Sequence, residues 1–186
     1  MATILIPLAT GFEEIEAVSL IDVLRRAELN VIVASLQNNL QVTGANQISV
    51  VADRTIDGIT SDDIDMILLP GGWGGTDILA TDDNVQTLLK DMNKKNKFIG
   101  AICAAPYALK SAGLLPDNFT CYPGAKDSIR DEGYTEAKQV VEDGNIITSR
   151  GPGTALCFGL YLVKKFAGEK MYQDLKAGLL ADFCNV

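Results

Sequence analysis

Phe98-Ile99-Gly100-Ala101-Ile102-Cys103-Ala104-Ala105-Pro106 is the stretch on which the fold turns. A short apolar run stops at a cysteine, and small residues then open a helical stretch over 104–112. That order gives a strand, a tight turn and a helix start, with the thiol at the turn. A thiol at a helix N-terminus meets the positive end of the macrodipole and free backbone N–H groups, and both favour the reactive thiolate. The plainer reading of Cys103 is a buried, inert cysteine. The sharper one is a nucleophile elbow on a strained strand-to-helix turn, although the Gly-x-Ser-x-Gly pattern is absent.

The same strand-then-helix order recurs on both sides of this segment. Residues 3–8, 30–36, 65–69, 98–102 and 119–122 read as strands rich in Val, Ile and Leu. Residues 13–27, 83–95, 104–112, 154–167 and 169–181 read as helices, and 40–52 and 139–149 as hairpins. Alternating units of this kind predict a parallel sheet covered on both faces. Ligands then bind beyond the carboxyl ends of the strands. That rule selects residues 9–16, 71–75, 103–106 and 122–126. No internal repeat or linker interrupts the 186 residues, so a single domain over 1–186 is expected.

Sixteen basic residues stand against 24 acidic ones, a net charge of −8, which argues against nucleic acid or an anionic membrane as partner. No apolar run is long enough to span a bilayer, and no signal peptide is visible, so a cytoplasmic protein is expected. Cys103, Cys121, Cys157 and Cys184 are scattered, with no CxxC pair and no histidine in the chain. No metal site is expected from such a set. Free thiols in a reducing compartment are expected rather than a disulfide framework. Cys121, Cys157 and Cys184 read as structural or incidental, with Cys184 near the C-terminus open to oxidation.

Three acidic residues open the first helix. Glu13 and Glu16 fall on its apolar face near Leu20, Val23 and Leu24, and Glu14 lies at the edge of that face. First-turn acids commonly just stabilise the helix dipole. A desolvated carboxyl with a raised pKa is the functional alternative, able to hold a proton near neutrality. Gly71-Gly72 either makes a turn or lets backbone N–H groups approach a substrate oxygen. No dinucleotide or P-loop spacing follows, so no cofactor is expected. Ser149-Arg150-Gly151-Pro152-Gly153-Thr154 opens a helix with Thr154 as its possible cap.

Four ordered segments carry a resemblance over nearly the whole chain. They are Gly11-Phe12-Glu13-Glu14-Ile15-Glu16-Ala17, Leu69-Pro70-Gly71-Gly72, Ala101-Ile102-Cys103-Ala104-Ala105-Pro106 and Ser149-Arg150-Gly151-Pro152-Gly153-Thr154. Together they resemble the ThiJ/PfpI superfamily, in the branch of the Parkinson-associated DJ-1 proteins. The resemblance implies a flavodoxin-like three-layer α/β sandwich and a homodimer. It implies that Cys103 is the nucleophile, that Glu16 is the acid hydrogen-bonded to it, and that Gly72 and Ala104 N–H groups are oxyanion-type donors. Glu13, Gly71, Tyr122 and Pro152 would shape the pocket.

Small α-oxoaldehydes such as methylglyoxal, or early glycation adducts of proteins, are the implied substrates. A redox sensor or chaperone with little turnover is the alternative, and an intracellular cysteine peptidase the third. One departure stands out. Many relatives place a histidine where this chain has Tyr122, before Pro123, so a Cys–His dyad is impossible here.

Overall fold

A computed structural model describes all 186 residues. The chain runs β1 (Thr3–Leu8), α1 (Glu14–Arg26), β2 (Asn30–Ser35), β3 (Gln41–Thr43), β4 (Ser49–Val51), β5 (Arg54–Thr55) and β6 (Met66–Leu69). It continues through α2 (Trp73–Thr81), α3 (Asp83–Lys94), β7 (Phe98–Ile102), α4 (Pro106–Ser111) and α5 (Lys126–Ile129). β8 (Val140–Asp143), β9 (Ile146–Ser149), α6 (Ala155–Ala167) and α7 (Glu169–Gly178) complete it.

Seven strands form one sheet in the order β5-β2-β1-β6-β7-β9-β8. Every pairing in it is parallel except β8 with β9. This is the flavodoxin-like arrangement, and its central strand order reverses between β1 and β6. Side chains alternate across the sheet as strand geometry requires. Ile4, Ile6 and Leu8 join the core beneath α1, α6 and α7. Leu5, Ile67, Leu69, Ile99 and Ala101 join the second core, beneath α2, α3 and α4. Because both faces are covered, the central strands β6 and β7 are wholly apolar and β1 is apolar after Thr3, and the loops that follow these three strands converge at one edge. No helix is long and apolar enough to cross a membrane.

Four features differ from the sequence reading. Residues 119–122 do not form a strand: Phe119 makes one bridge to Tyr134, and Thr120 N–H donates to Thr148 Oγ1 at 3.0 Å. The α2 helix goes unforeseen because it opens on Trp73-Gly74-Gly75, a poor helix former, with no side-chain cap. Thr154 does not cap α6; its hydroxyl instead accepts from Gly151 N–H at 3.1 Å and bonds Ser149 Oγ at 2.9 Å.

The cysteines differ most. Cys157 on α6 and Cys184 beyond α7 are disulfide-bonded. Neither is a free thiol, and cysteine usage no longer speaks for a reducing compartment. The tail makes the pairing possible by folding back under α7. Tyr172 O–H donates to Cys184 O at 3.4 Å, and both cysteines are fully buried. Cys103 and Cys121 remain free.

A cross-link spanning 27 residues restricts the unfolded chain by about 3.5 kcal/mol. Urea unfolding of Cys184→Ser should therefore show a stability loss of about that size, matched by wild-type protein reduced with a dithiol. Unfolding that is indifferent to both treatments would show that the tail contributes no constraint.

Candidate active site

Cys103 sits on the turn between β7 and α4 with φ +65°, a left-handed conformation that is rare for a residue with a side chain. Two hydrogen bonds clamp it there. Its N–H donates to Ser149 O at 3.0 Å, and its carbonyl accepts from Tyr122 N–H at 2.9 Å. Backbone strain of this kind costs on the order of 1–3 kcal/mol and persists only where neighbours enforce it. This is the geometry of an elbow that pushes a side chain out of the sheet edge.

Glu16 approaches from α1 and is fully buried. Its Oε2 accepts from Gly71 N–H at 2.7 Å. Its Oε1 is buried without a hydrogen-bond partner, and the Cys103 thiol lies beside the carboxyl. Gly71 makes this meeting possible. A Cβ there would lie 2.7 Å from both the Cys103 Cβ and Glu16 Oε2. Gly72 has φ +87°, and a Cβ on it would strike Gly11 O at 2.4 Å. Gly72 and Ala104 both present backbone N–H groups to the Cys103 sulfur.

Burial pushes the Glu16 carboxyl up to about 7, against the opposing hydrogen bonds from Cys103 and Gly71. Burial also pushes the Cys103 thiol up, and the Glu16 charge adds to this. The helix dipole expected from the sequence does not offset these effects. α4 starts only at Pro106 and is six residues long. What favours thiolate here is the pair of N–H groups from Gly72 and Ala104. When Glu16 holds a proton its charge no longer opposes ionisation of the thiol, and the protonated carboxyl can donate to the sulfur.

Above the thiol lies a cleft of about 310 Å³. Glu13, Gly72, Cys103, Ala104, Tyr122 and Pro152 line it, all residues that the sequence reading selected. Gly71 and Glu16 sit beneath its floor. Glu13 is the N-cap of α1, its carboxylate accepting from Ile15 N–H, so its structural and pocket roles coexist. Cys121 is buried away from the cleft, with its thiol pushed up to about 12 by burial.

Two further residues line the cleft: Trp73, inside the segment 71–75 but given no role of its own by the sequence, and Ala45, outside every selected segment. The single tryptophan directly after Gly71-Gly72 was a usable signal for the first. Ala45 offered none, since it arrives from the β3–β4 hairpin. Glu14 holds that hairpin in place. Fully engaged rather than at the edge of the apolar face, its carboxylate accepts from Asn46 N–H at 2.6 Å, Asn46 Nδ2 at 3.0 Å and Ile48 N–H at 3.3 Å. The described side chains include no group of histidine, cysteine and acidic residues able to hold a metal.

A flavodoxin-like sheet with a strained cysteine elbow facing a buried glutamate defines a class of cysteine-centred α/β proteins. Residues 2–165 match the DJ-1/PfpI family model, and the chain belongs to that family. It is 38% identical over 181 residues to protein dj-1beta of Drosophila melanogaster, covering 96% of this chain and 97% of that one. The crystal structure of Drosophila melanogaster DJ-1beta matches with a TM-score of 0.92 over 96% of this chain and 97% of the other. Identity is 34% over 189 residues to the Schizosaccharomyces pombe protein named glutathione-independent glyoxalase DJ-1, with 96% and 98% of the two chains covered. Protein DJ-1 homolog B of Arabidopsis thaliana is 44% identical over 180 residues, 95% of this chain, and the chain spans only 41% of that relative's length.

The raised Glu16 pKa has a stability consequence. The folded state binds the Glu16 proton more tightly than the unfolded chain, where the carboxyl has its ordinary value of 4.5. The contribution is therefore full below pH 4.5, declines as pH rises, and is lost above about 7. Its size is about 3 kcal/mol. Urea unfolding should show wild type losing that much relative to Glu16→Gln between pH 4.5 and 8. A difference that stays constant with pH would mean the carboxyl is not desolvated.

Proposed function

We propose that this protein is a cofactor-independent cysteine enzyme acting on small α-oxoaldehydes, with methylglyoxal converted to lactate. The observation that carries the reading is the Cys103–Glu16 pair at the foot of a cleft with Gly72 and Ala104 N–H groups turned to the sulfur. The name of the Schizosaccharomyces pombe relative, a glutathione-independent glyoxalase, supports it. Cys103 thiolate attacks the aldehyde carbon and forms a hemithioacetal. The two N–H groups stabilise the developing oxyanion. Glu16 passes its proton to that oxyanion, then takes a proton from the former aldehyde carbon and returns it to the neighbouring carbon, while the hydroxyl proton moves to the former ketone oxygen, leaving a lactoyl thioester. Water then releases lactate and the thiol. Early glycation adducts of proteins present a comparable carbon to the same thiol. Tyr122 lines the cleft as a wall and hydrogen-bond donor.

In a steady-state methylglyoxal assay, Cys103→Ser should lower kcat/KM by at least about a thousandfold, as for removal of a nucleophile. Glu16→Gln should lower it by about a hundredfold, the usual scale for a general acid or base. Wild-type turnover in the folded Cys103→Ser protein would sink the proposal.

A second reading, a redox sensor, has its own support. Cys121 is buried and the other two cysteines are bonded to each other, so Cys103 is the single thiol that opens on a cleft. An oxidised sulfur there would accept from Gly72 and Ala104 N–H, and protonated Glu16 would donate to it. Mild peroxide followed by mass spectrometry should place two added oxygens on Cys103 before Cys121 is touched. Equal oxidation of the two would remove the basis of this reading.

A further inference from the structure

Beside the reactive cleft lies a second cavity of about 260 Å³, and the two share Tyr122 and Pro152. Arg150 is the one cation lining either of them. The next residue, Gly151, adjoins the thiol: a Cβ on it would lie 3.9 Å from Cys103 Sγ. A molecule bonded to Cys103 and extending past the Tyr122 ring therefore enters the cavity that Arg150 lines.

That guanidinium is poorly satisfied. Its Nε is buried with no hydrogen-bond partner. Its Nη2 reaches Glu136 Oε2 at 3.4 Å, long for a charge-assisted bond, and Glu136 is largely exposed. Arg25, Arg26, Arg54 and Arg130 each hold a hydrogen bond of 2.9 Å or less. An unpaired buried donor calls for an explanation. Nε and Nη2 form the side-on edge of the guanidinium, the edge that takes both oxygens of a carboxylate or two oxygens of a phosphate. An oxyanion that displaces Glu136 would fill it. The only other charge lining the cleft is Glu13, which disfavours an anion at its own end and so orients the molecule toward Arg150.

We propose that Arg150 is a specificity-determining residue that binds a carboxylate or phosphate at the far end of the substrate and so positions its aldehyde carbon on Cys103. The inference rests on the aldehyde reading for the reacting end of the substrate, and on the guanidinium for the other end.

The test uses Cys103 itself as reporter, without turnover. The intact protein is treated with an aryl disulfide carrying carboxylates and, separately, with neutral dipyridyl disulfide. In each case the thiolate attacks one sulfur, the S–S bond breaks, a mixed disulfide forms and one aryl thiolate leaves. Arg150→Met should slow the anionic reagent about fivefold or more and change the neutral one less than twofold, as expected for loss of one nearby charge. Arg150→Lys should recover part of the rate, and Lys94→Met, on the exposed face of α3, should change neither. Equal effects of Arg150→Met on both reagents would overturn the proposal, and so would none on either.

Protection of Cys103 from the neutral reagent by acetate or by inorganic phosphate then identifies which group is held, and protection by neither overturns it. Activity separates this inference from the one before it. Methylglyoxal turnover with no Arg150-dependent preference for carboxylate- or phosphate-bearing aldehydes defeats the subsite alone. Arg150-dependent labelling without turnover defeats the glyoxalase reading and supports the subsite.

Discussion

A carboxyl group buried without a counter-ion is the constraint on which the site depends. Glu16 is enclosed by the sheet edge and has only Gly71 N–H and the Cys103 thiol as hydrogen-bonding neighbours. No cation contributes to its environment, so desolvation dominates and the neutral acid is favoured. Both neighbours have fixed positions because each sits at the end of a central strand. Gly71 follows β6, Cys103 follows β7, and those strands pair in register from Met66–Phe98 to Leu69–Ala101. The sheet thus sets the spacing between the acid's two partners, and α1 delivers the acid from the loop after β1. Gly71 has to lack a side chain, since any Cβ would occupy the space where the carboxyl meets the cysteine.

The strain at Cys103 belongs to the same arrangement. A positive φ costs stability, yet the residue is held on both sides, by Ser149 at the end of β9 and by Tyr122. Those two segments also contribute the walls of the cleft and, one residue beyond Ser149, Arg150. The strained backbone and the walls therefore come from the same strand ends. The α/β layering supplies the rigidity that keeps them there, with buried apolar residues on both faces of the sheet.

Local chemistry made much of this legible in the sequence. The strand ending at Cys103, the apolar placement of Glu16 and the paired glycines each leave a mark within a few residues. Features made by distant segments left none. Glu14 looks like an ordinary first-turn acid until Asn46 and Ile48 arrive from a hairpin some thirty residues on. Cys157 and Cys184 have no motif spacing, and only the tail's return under α7 pairs them. Residues 119–122 carry a strand's composition, but Thr120 N–H is taken by a side chain instead of a ladder partner. The α2 helix opens on glycines, and its packing beneath the sheet overrides their low propensity.

The missing histidine looks different in this light. An imidazole is useful in catalysis because its ordinary pKa, about 6.5, lies near the working pH. Burial brings the Glu16 carboxyl to about 7, into the same range. A group at that value can both hold and release a proton near neutrality, which is what a general acid–base step requires. Tyr122, half exposed, lines the cleft with a phenol ring instead of an imidazole. On the enzymatic reading, the proton work then falls to the carboxyl, through desolvation. This assignment makes the dryness of the Glu16 pocket a functional quantity. A change that let water reach the carboxyl would return its pKa toward 4.5 and leave a negative charge beside the thiol at neutral pH. It would thereby remove the acid and oppose the nucleophile in a single step, without altering either residue.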